Sequence, residues 1–189
     1  MTMSITATAQ TPKLSKDNIE KVLQAMTLEE KASLLVGGEY DFWSTTAMAG
    51  NSSHTVPGAA GSTIAIPRLG IPETILTDGP AGVRINPTRP ETNKTFYATG
   101  FPVGSCIAAT WNTELAFKVG KAIGSEVKAY NCDVILGPGM NIHRNPLCGR
   151  NFEYYSEDPL LTGKIASGYV KGVQNEGAGV SIKHFAVNS

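Results

Sequence analysis

The 189-residue sequence has no excess of charge of either sign: Lys and Arg number 16, Asp and Glu number 16, and the formal net charge is zero. A nucleic-acid footprint needs a basic excess or stripe, so nucleic acid is not an expected partner. Nor is there a block of like charges of the kind that forms an interaction tail. No segment approaches the ~20 consecutive apolar residues of a membrane span, so no membrane association is expected. Met1 to Pro12 is polar and rich in Thr and Ala, without the basic and apolar regions of a signal peptide. The expectation is a soluble and most simply cytoplasmic chain, although one from which a signal had been removed would read the same.

Cysteine is scarce. Cys106, Cys132 and Cys148 are odd in number and widely spaced, which reads as free thiols in a reducing compartment rather than a disulfide frame. His54, His143 and His184 are too scattered for a metal site, and no His-Glu-x-x-His is present. The glycine fingerprints of dinucleotide and nucleoside-triphosphate binding are missing too. So are Gly-x-Ser-x-Gly and a supported Ser-x-x-Lys, which leaves no recognisable nucleophile constellation. There is no internal repeat and no low-complexity tract. The glycosylation-type triplets at Asn51 and Asn93 are short patterns that arise often by chance.

What is present is 41% hydrophobic residues with 20 Gly and 11 Pro, the composition of a globular chain with many turns. The length suits one domain. Residues 1–14 read as a flexible lead and 15–189 as the folded part. Ile19, Val22, Leu23 and Met26 have amphipathic helical spacing. Thr27-Leu28-Glu29-Glu30 forms a capping box opening a helix with Leu34, Leu35 and Val36, which stops at Gly37-Gly38. Residues 39–66 have no clear period and read as a long loop. Strands are then expected at Glu73 to Thr77, Phe101 to Ala109, Asp133 to Leu136 and Val180 to Ile182. A helix is expected from Asn112 to Tyr130, buried through Leu115, Val119, Ala122, Ile123 and Val127. Another opens at Asp158-Pro159, with Asp as N-cap and Pro at the first helical position. Leu161, Ile165, Tyr169 and Val173 share its buried side.

Strands that alternate with helices imply parallel pairing through crossover helices. An open doubly wound sheet and a barrel both fit that pattern. Both bind ligands at the C-terminal ends of their strands. Three polar clusters fall there: Asp78, the segment from Asn141 to Arg150, and Lys183-His184. A carboxylate held by the Asp78-Gly79-Pro80 turn can accept hydrogen bonds from two neighbouring hydroxyls, or it can simply bond its own backbone. Arg guanidinium groups make directed hydrogen bonds and pair with carboxylates such as Glu153. Lys183 and His184 supply two donors at a strand end. Glycoside hydrolysis needs two flanking carboxylates. Glu153, Glu157 and Asp158 are available, but Asp158 is better explained as a helix cap. Residue chemistry alone supports a pocket for a polar ligand and does not identify a reaction.

Three stretches do more. Thr77-Asp78-Gly79-Pro80-Ala81-Gly82-Val83-Arg84, the long run from Asn141-Ile142-His143-Arg144 through Gly149-Arg150-Asn151-Phe152-Glu153 to Asp158-Pro159, and Ile182-Lys183-His184-Phe185-Ala186-Val187-Asn188-Ser189 resemble glycoside hydrolase family 3 in order and spacing. The likeness runs from about residue 27 to the end. It implies an α/β fold, the first half of a (β/α)8 TIM-like barrel, with the barrel domain partial because a complete one takes about 250 residues. It further implies retaining hydrolysis of terminal non-reducing β-D-glucosyl residues, with a β-glucoside or oligosaccharide as substrate and no metal or organic cofactor. By the same resemblance Asp78, Arg150, Lys183 and His184 bind sugar hydroxyls and Arg84 neighbours them. Glu153 becomes a buried structural partner, and Arg144 stands one layer behind the site. The Lys-His-Phe-Ala-Val-Asn ending is similar to the β-glucosidase and β-xylosidase branch, with β-xylosidase the alternative within it. The family's Asp nucleophile lies in a later Ser-Asp-Trp type motif and its acid/base Glu in a second domain. Neither is found here, and both are expected beyond Ser189. The expectation is therefore an N-terminal fragment, inactive alone, with no catalytic residue of its own. The missing C-terminal half of the same enzyme would be its partner. A non-catalytic sugar-binding or split-enzyme half, and an inert relic, are the other classes.

Overall fold

The computed structural model describes residues 11–37 and 55–188. His54, most of the expected lead and the first part of the expected 39–66 loop lie outside the described residues. At the start of the chain, Lys13 Nζ donates to Pro67 O at 2.8 Å and Leu14 N donates to Leu69 O at 2.7 Å. Helix α1 (Ile19–Ala25) buries only Val22, which packs with Ile66 and Leu69. Helix α2 (Leu28–Val36) opens on the expected capping box, with Glu30 N on Thr27 Oγ1 and Thr27 N on Glu30 Oε2. Arg68 holds the pair from outside: its Nε donates to Glu30 Oε1 at 2.6 Å.

Four short strands form one sheet in the order β1-β2-β3-β4. They are β1 (Gly61–Ser62), β2 (Ile75–Thr77), β3 (Val134–Ile135) and β4 (Gly179–Val180). Strands β2, β3 and β4 are parallel, with Thr77 beside Ile135 and Ile135 beside Val180. Helices α3 (Gly104–Ala108) and α4 (Thr113–Ala129) cross from β2 to β3, and α5 (Pro159–Asn175) crosses from β3 to β4. The expected parallel pairing holds for β2, β3 and β4, but strand β1, within the segment expected as loop, pairs antiparallel to β2 and makes the sheet mixed. Two residues of Gly and Ser carry no apolar alternation, which is why this strand reads as part of a loop.

The expected strand from Phe101 to Ala109 is also corrected: its core is helix α3. Gly104, Ile107 and Ala108 are its buried residues, a helical spacing. A short apolar run fits a strand or a buried helix equally well until a neighbour selects one face. Here the selecting neighbours are Ala116, Ile165 and Ala166.

Helices α4 and α5 start as expected. Asn112 Oδ1 accepts from Leu115 N at 2.9 Å, and Asp158 Oδ1 accepts from Leu160 N at 2.8 Å. The buried stripe of α4 is Ala116, Gly120, Ile123, Gly124 and Val127. Leu115 and Ala122 are exposed, so the expected face is rotated towards the glycines. Close approach of the helix backbones explains the rotation. A Cβ on Gly120 would overlap the Tyr169 carbonyl oxygen, and one on Gly172 would overlap that of Phe117. With the two helices tight together, Ile123, Val127, Tyr169 and Val173 press onto Ile75, Val83 and Ile135 of the sheet layer. Each such buried aliphatic stabilises by about 1.5–3 kcal/mol. This core fixes the sheet whose C-terminal edge carries the polar residues.

Candidate functional site

At the end of β2, Thr77 is fully buried and its Oγ1 lies 3.0 Å from Arg84 O. Gly79 N donates to Gly82 O at 2.9 Å and Gly82 N donates back to Gly79 O at 3.2 Å. The turn closes only with glycine at 82, where φ is +134° and an added Cβ would overlap the Thr99 carbonyl oxygen. Asp78 thus sits at the mouth of the turn, half exposed, with its carboxylate facing the sheet edge.

Beyond β3 and β4 the chain stays paired. Lys183 N donates to Pro138 O at 3.0 Å and Met140 N to Lys183 O at 2.8 Å, which carries Lys183 to the level of Asp78. Its Nζ donates to Asp78 Oδ1 at 3.0 Å and lies 3.8 Å from Glu153 Oε2. Glu153, on a 3-10 turn at residues Asn151–Glu153, is 7% exposed; its other carboxylate oxygen, Oε1, accepts from Arg150 Nε. Two glycines make room for this turn: a Cβ on Gly104 would fall 2.6 Å from Glu153 O, and one on Gly139 3.0 Å from it. The result is a continuous array, Asp78–Lys183–Glu153–Arg150, of alternating sign and no net charge. Glu153 raises the pKa of the Arg150 guanidinium further above its ordinary value.

These groups line a cleft of about 420 Å³ that Arg84 also borders, with Val103 and Phe152 as apolar lining. Four of the five expected site residues, Asp78, Arg84, Arg150 and Lys183, are therefore brought together. His184 is not in the cleft lining. Its Nδ1 is 2.9 Å from the Tyr154 hydroxyl, and its backbone N donates to Asn141 Oδ1 while Asn141 Nδ2 donates to His184 O at 3.1 Å. Burial, with Arg150 adding to it, pushes the His184 imidazole below its usual pKa. A neutral imidazole is thus seated beside Lys183. Sequence reasoning did not single out Asn141 or Tyr154 as its partners. Both belong to the dense polar run of 141–159, so the available signal was that run as a whole. His143, in the same run, places its Nε2 2.9 Å from Asn151 O and braces the loop. Among the described residues no group of His, Cys, Asp and Glu could hold a metal ion.

A cleft at the C-terminal ends of three parallel strands, lined by an ion-paired array of directed donors and acceptors, is the kind of surface that binds polyhydroxylated ligands. Residues 63–189 match the glycosyl hydrolase family 3 N-terminal domain, and the chain belongs to that family. It is 45% identical over 175 residues to thermostable β-glucosidase B of Acetivibrio thermocellus, covering 91% of this chain and 20% of that protein. It is 44% identical over 168 residues to an exo-α-(1→6)-L-arabinopyranosidase of Bifidobacterium longum, covering 87% of this chain and 20% of the relative. The structure superposes on β-glucosidase 3B from Thermotoga neapolitana in complex with glucose with a TM-score of 0.79 and 54% identity, over 89% of this chain and 23% of that one. The chain thus spans about a fifth of the length of the relatives it matches.

Proposed function

We propose that this chain supplies the sugar-gripping part of a retaining β-glucosidase, on the first half of a (β/α)8 barrel. The strands follow one another across the sheet in sequence order, as barrel winding requires. The observation that carries the reading is the convergence of Asp78, Lys183, Glu153 and Arg150 on one cleft. Asp78 accepts from two adjacent sugar hydroxyls while Lys183 and Arg150 donate to them. Their contacts strengthen as the ring distorts towards an oxocarbenium-like state. Lys183 is held between two carboxylates and Arg150 is clasped by one, so both cations are pre-aimed before the sugar arrives. His184 acts through Tyr154 and Asn141, fixing the backbone that presents Lys183, rather than by touching the sugar.

Among the described residues the cleft holds two carboxylates, and both face the same Lys183 ammonium. That arrangement suits binding and leaves no free nucleophile and acid pair. These 189 residues are accordingly expected to show no turnover of an aryl β-glucoside above background. The resemblance to an arabinopyranosidase favours a second reading on the sugar itself, a pentopyranoside without the hydroxymethyl group of glucose. Titration of a glucose-like and a xylose-like iminosugar into the purified chain tests both. Saturable binding that disappears in Asp78→Ala is the expected result, and preference between the two ligands decides the sugar. No binding by a folded wild-type chain would refute the assignment of a working half-site.

A further inference from the structure

Tyr169, with Tyr154, is one of the two largest fully buried side chains among the described residues, and its hydroxyl has no hydrogen-bond partner among them. Its ring belongs to the core beneath the sheet, but its hydroxyl reaches past that core to the strand ends. A Cβ built on Gly137, just after β3, would lie 3.4 Å from Tyr169 Oη and 3.2 Å from Pro80 Cα. The hydroxyl therefore lies close beneath the meeting point of the Asp78-Gly79-Pro80 turn and the Gly137 corner, and Pro80 is part of the cleft wall. Burial, with smaller contributions from Tyr155 and the Asp78 charge, pushes the phenol far above its usual range, so it stays a proton donor.

A phenyl ring would fill the same space without placing a hydroxyl in it. Buried hydroxyls in folded proteins are nearly always satisfied, and an enclosed water with two to four polar partners is the common means. The N–H groups of Gly79, Gly82 and Gly137 are already paired and Pro80 has none, so such a water would accept from the Tyr169 hydroxyl and donate to carbonyl oxygens of the turn, which can each accept a second hydrogen bond.

We propose that Tyr169 is a positioning residue for Asp78: through a buried water its hydroxyl holds the Asp78-Gly79-Pro80 turn from below and fixes the carboxylate for the sugar. The proposal rests on the sugar-binding reading for its consequence, but its structural half stands separately. Tyr169→Phe removes the hydroxyl and keeps the ring. The expected result is an iminosugar affinity lowered roughly 3- to 10-fold, the effect of one net hydrogen bond, with a melting temperature equal to or below that of the wild type. An unchanged affinity in a wild-type chain that binds would overturn it, because a merely structural hydroxyl would not move affinity. A melting temperature raised by about 2–12 °C would also overturn it, since that is the gain from removing a truly unsatisfied buried hydroxyl. If neither the wild type nor Asp78→Ala binds, the sugar reading falls, and the direction of the melt alone still decides whether the hydroxyl is held.

Discussion

Replacing Lys183 by Met keeps the length and the apolar stem of the side chain and deletes the charge between two carboxylates. In the wild type the ammonium is 3.0 Å from Asp78 Oδ1 and 3.8 Å from Glu153 Oε2, with Lys183 17% and Glu153 7% exposed. At an effective dielectric constant near 20 the gross attractions are about 5 and 4 kcal/mol. Desolvation of the three groups offsets much of that, and Asp78, at 35% exposure, is partly screened by water. Removing the central cation also strips Asp78 of its counter-ion and leaves Glu153 with Arg150 alone. A loss of about 2–4 kcal/mol is expected, within the range for breaking a part-buried pair. For a chain of this size that lowers the melting temperature by roughly 4–16 °C. Glu153→Gln should cost less, about 1–3 kcal/mol, because Lys183 keeps Asp78. In the Lys183→Met background the same change relieves repulsion, so the double variant should be less destabilised than the sum by about 1–2 kcal/mol. Urea unfolding followed by circular dichroism measures all four corners of the cycle. Additivity within ~0.5 kcal/mol, or a Lys183→Met loss below ~1 kcal/mol, would show that the array is a solvated surface contact and would refute the argument.

Three other outcomes are expected. Gly172→Ala forces a Cβ into the Phe117 carbonyl and should destabilise by about 2–4 kcal/mol, whereas Gly163→Ala on the open side of the same helix meets nothing within 4 Å and should stabilise by about 0.5–1 kcal/mol; paired thermal melts separate them. His184 titrates in the folded chain below its ordinary 6.5, so the unfolded state binds the proton more readily. Stability from this group is present above 6.5 and is lost as the pH falls from there through the depressed folded value. Melting temperatures at pH 7.5 and 5.5 should therefore differ more in the wild type than in His184→Asn. Burial pushes the Cys132 thiol up to about 11 while Cys106 is exposed. Iodoacetamide at pH 8 followed by peptide mass mapping should modify Cys106 in the folded chain, and Cys132 only after denaturation.

Local signals in the sequence were sufficient for the elements that carry their own instructions. Thr27 and Glu30 specify a capping box wherever the chain places them, and it forms. Asp158-Pro159 and Asn112 start helices because their side chains satisfy free backbone N–H groups within three residues, which needs no tertiary partner. The site residues at strand ends were legible for a related reason: Asp78-Gly79-Pro80 is a turn by its chemistry, and a polar cluster after an apolar run marks a sheet edge. Only folding could decide what depends on the neighbour. Phe101 to Ala109 is apolar in either conformation, and packing onto α5 made its centre helical. The buried face of α4 runs through glycines, which no hydrophobicity pattern marks, because what they supply is the absence of a side chain against α5. The same is true of the cleft. The sequence determined which charged groups reach the sheet edge, but not that Lys183 would span Asp78 and Glu153, residues 105 and 30 positions away, while His184, next to it, turns to Tyr154. Those pairings are set by the register of three parallel strands and the seating of one 3-10 turn, distances that exist only once the chain has closed on itself.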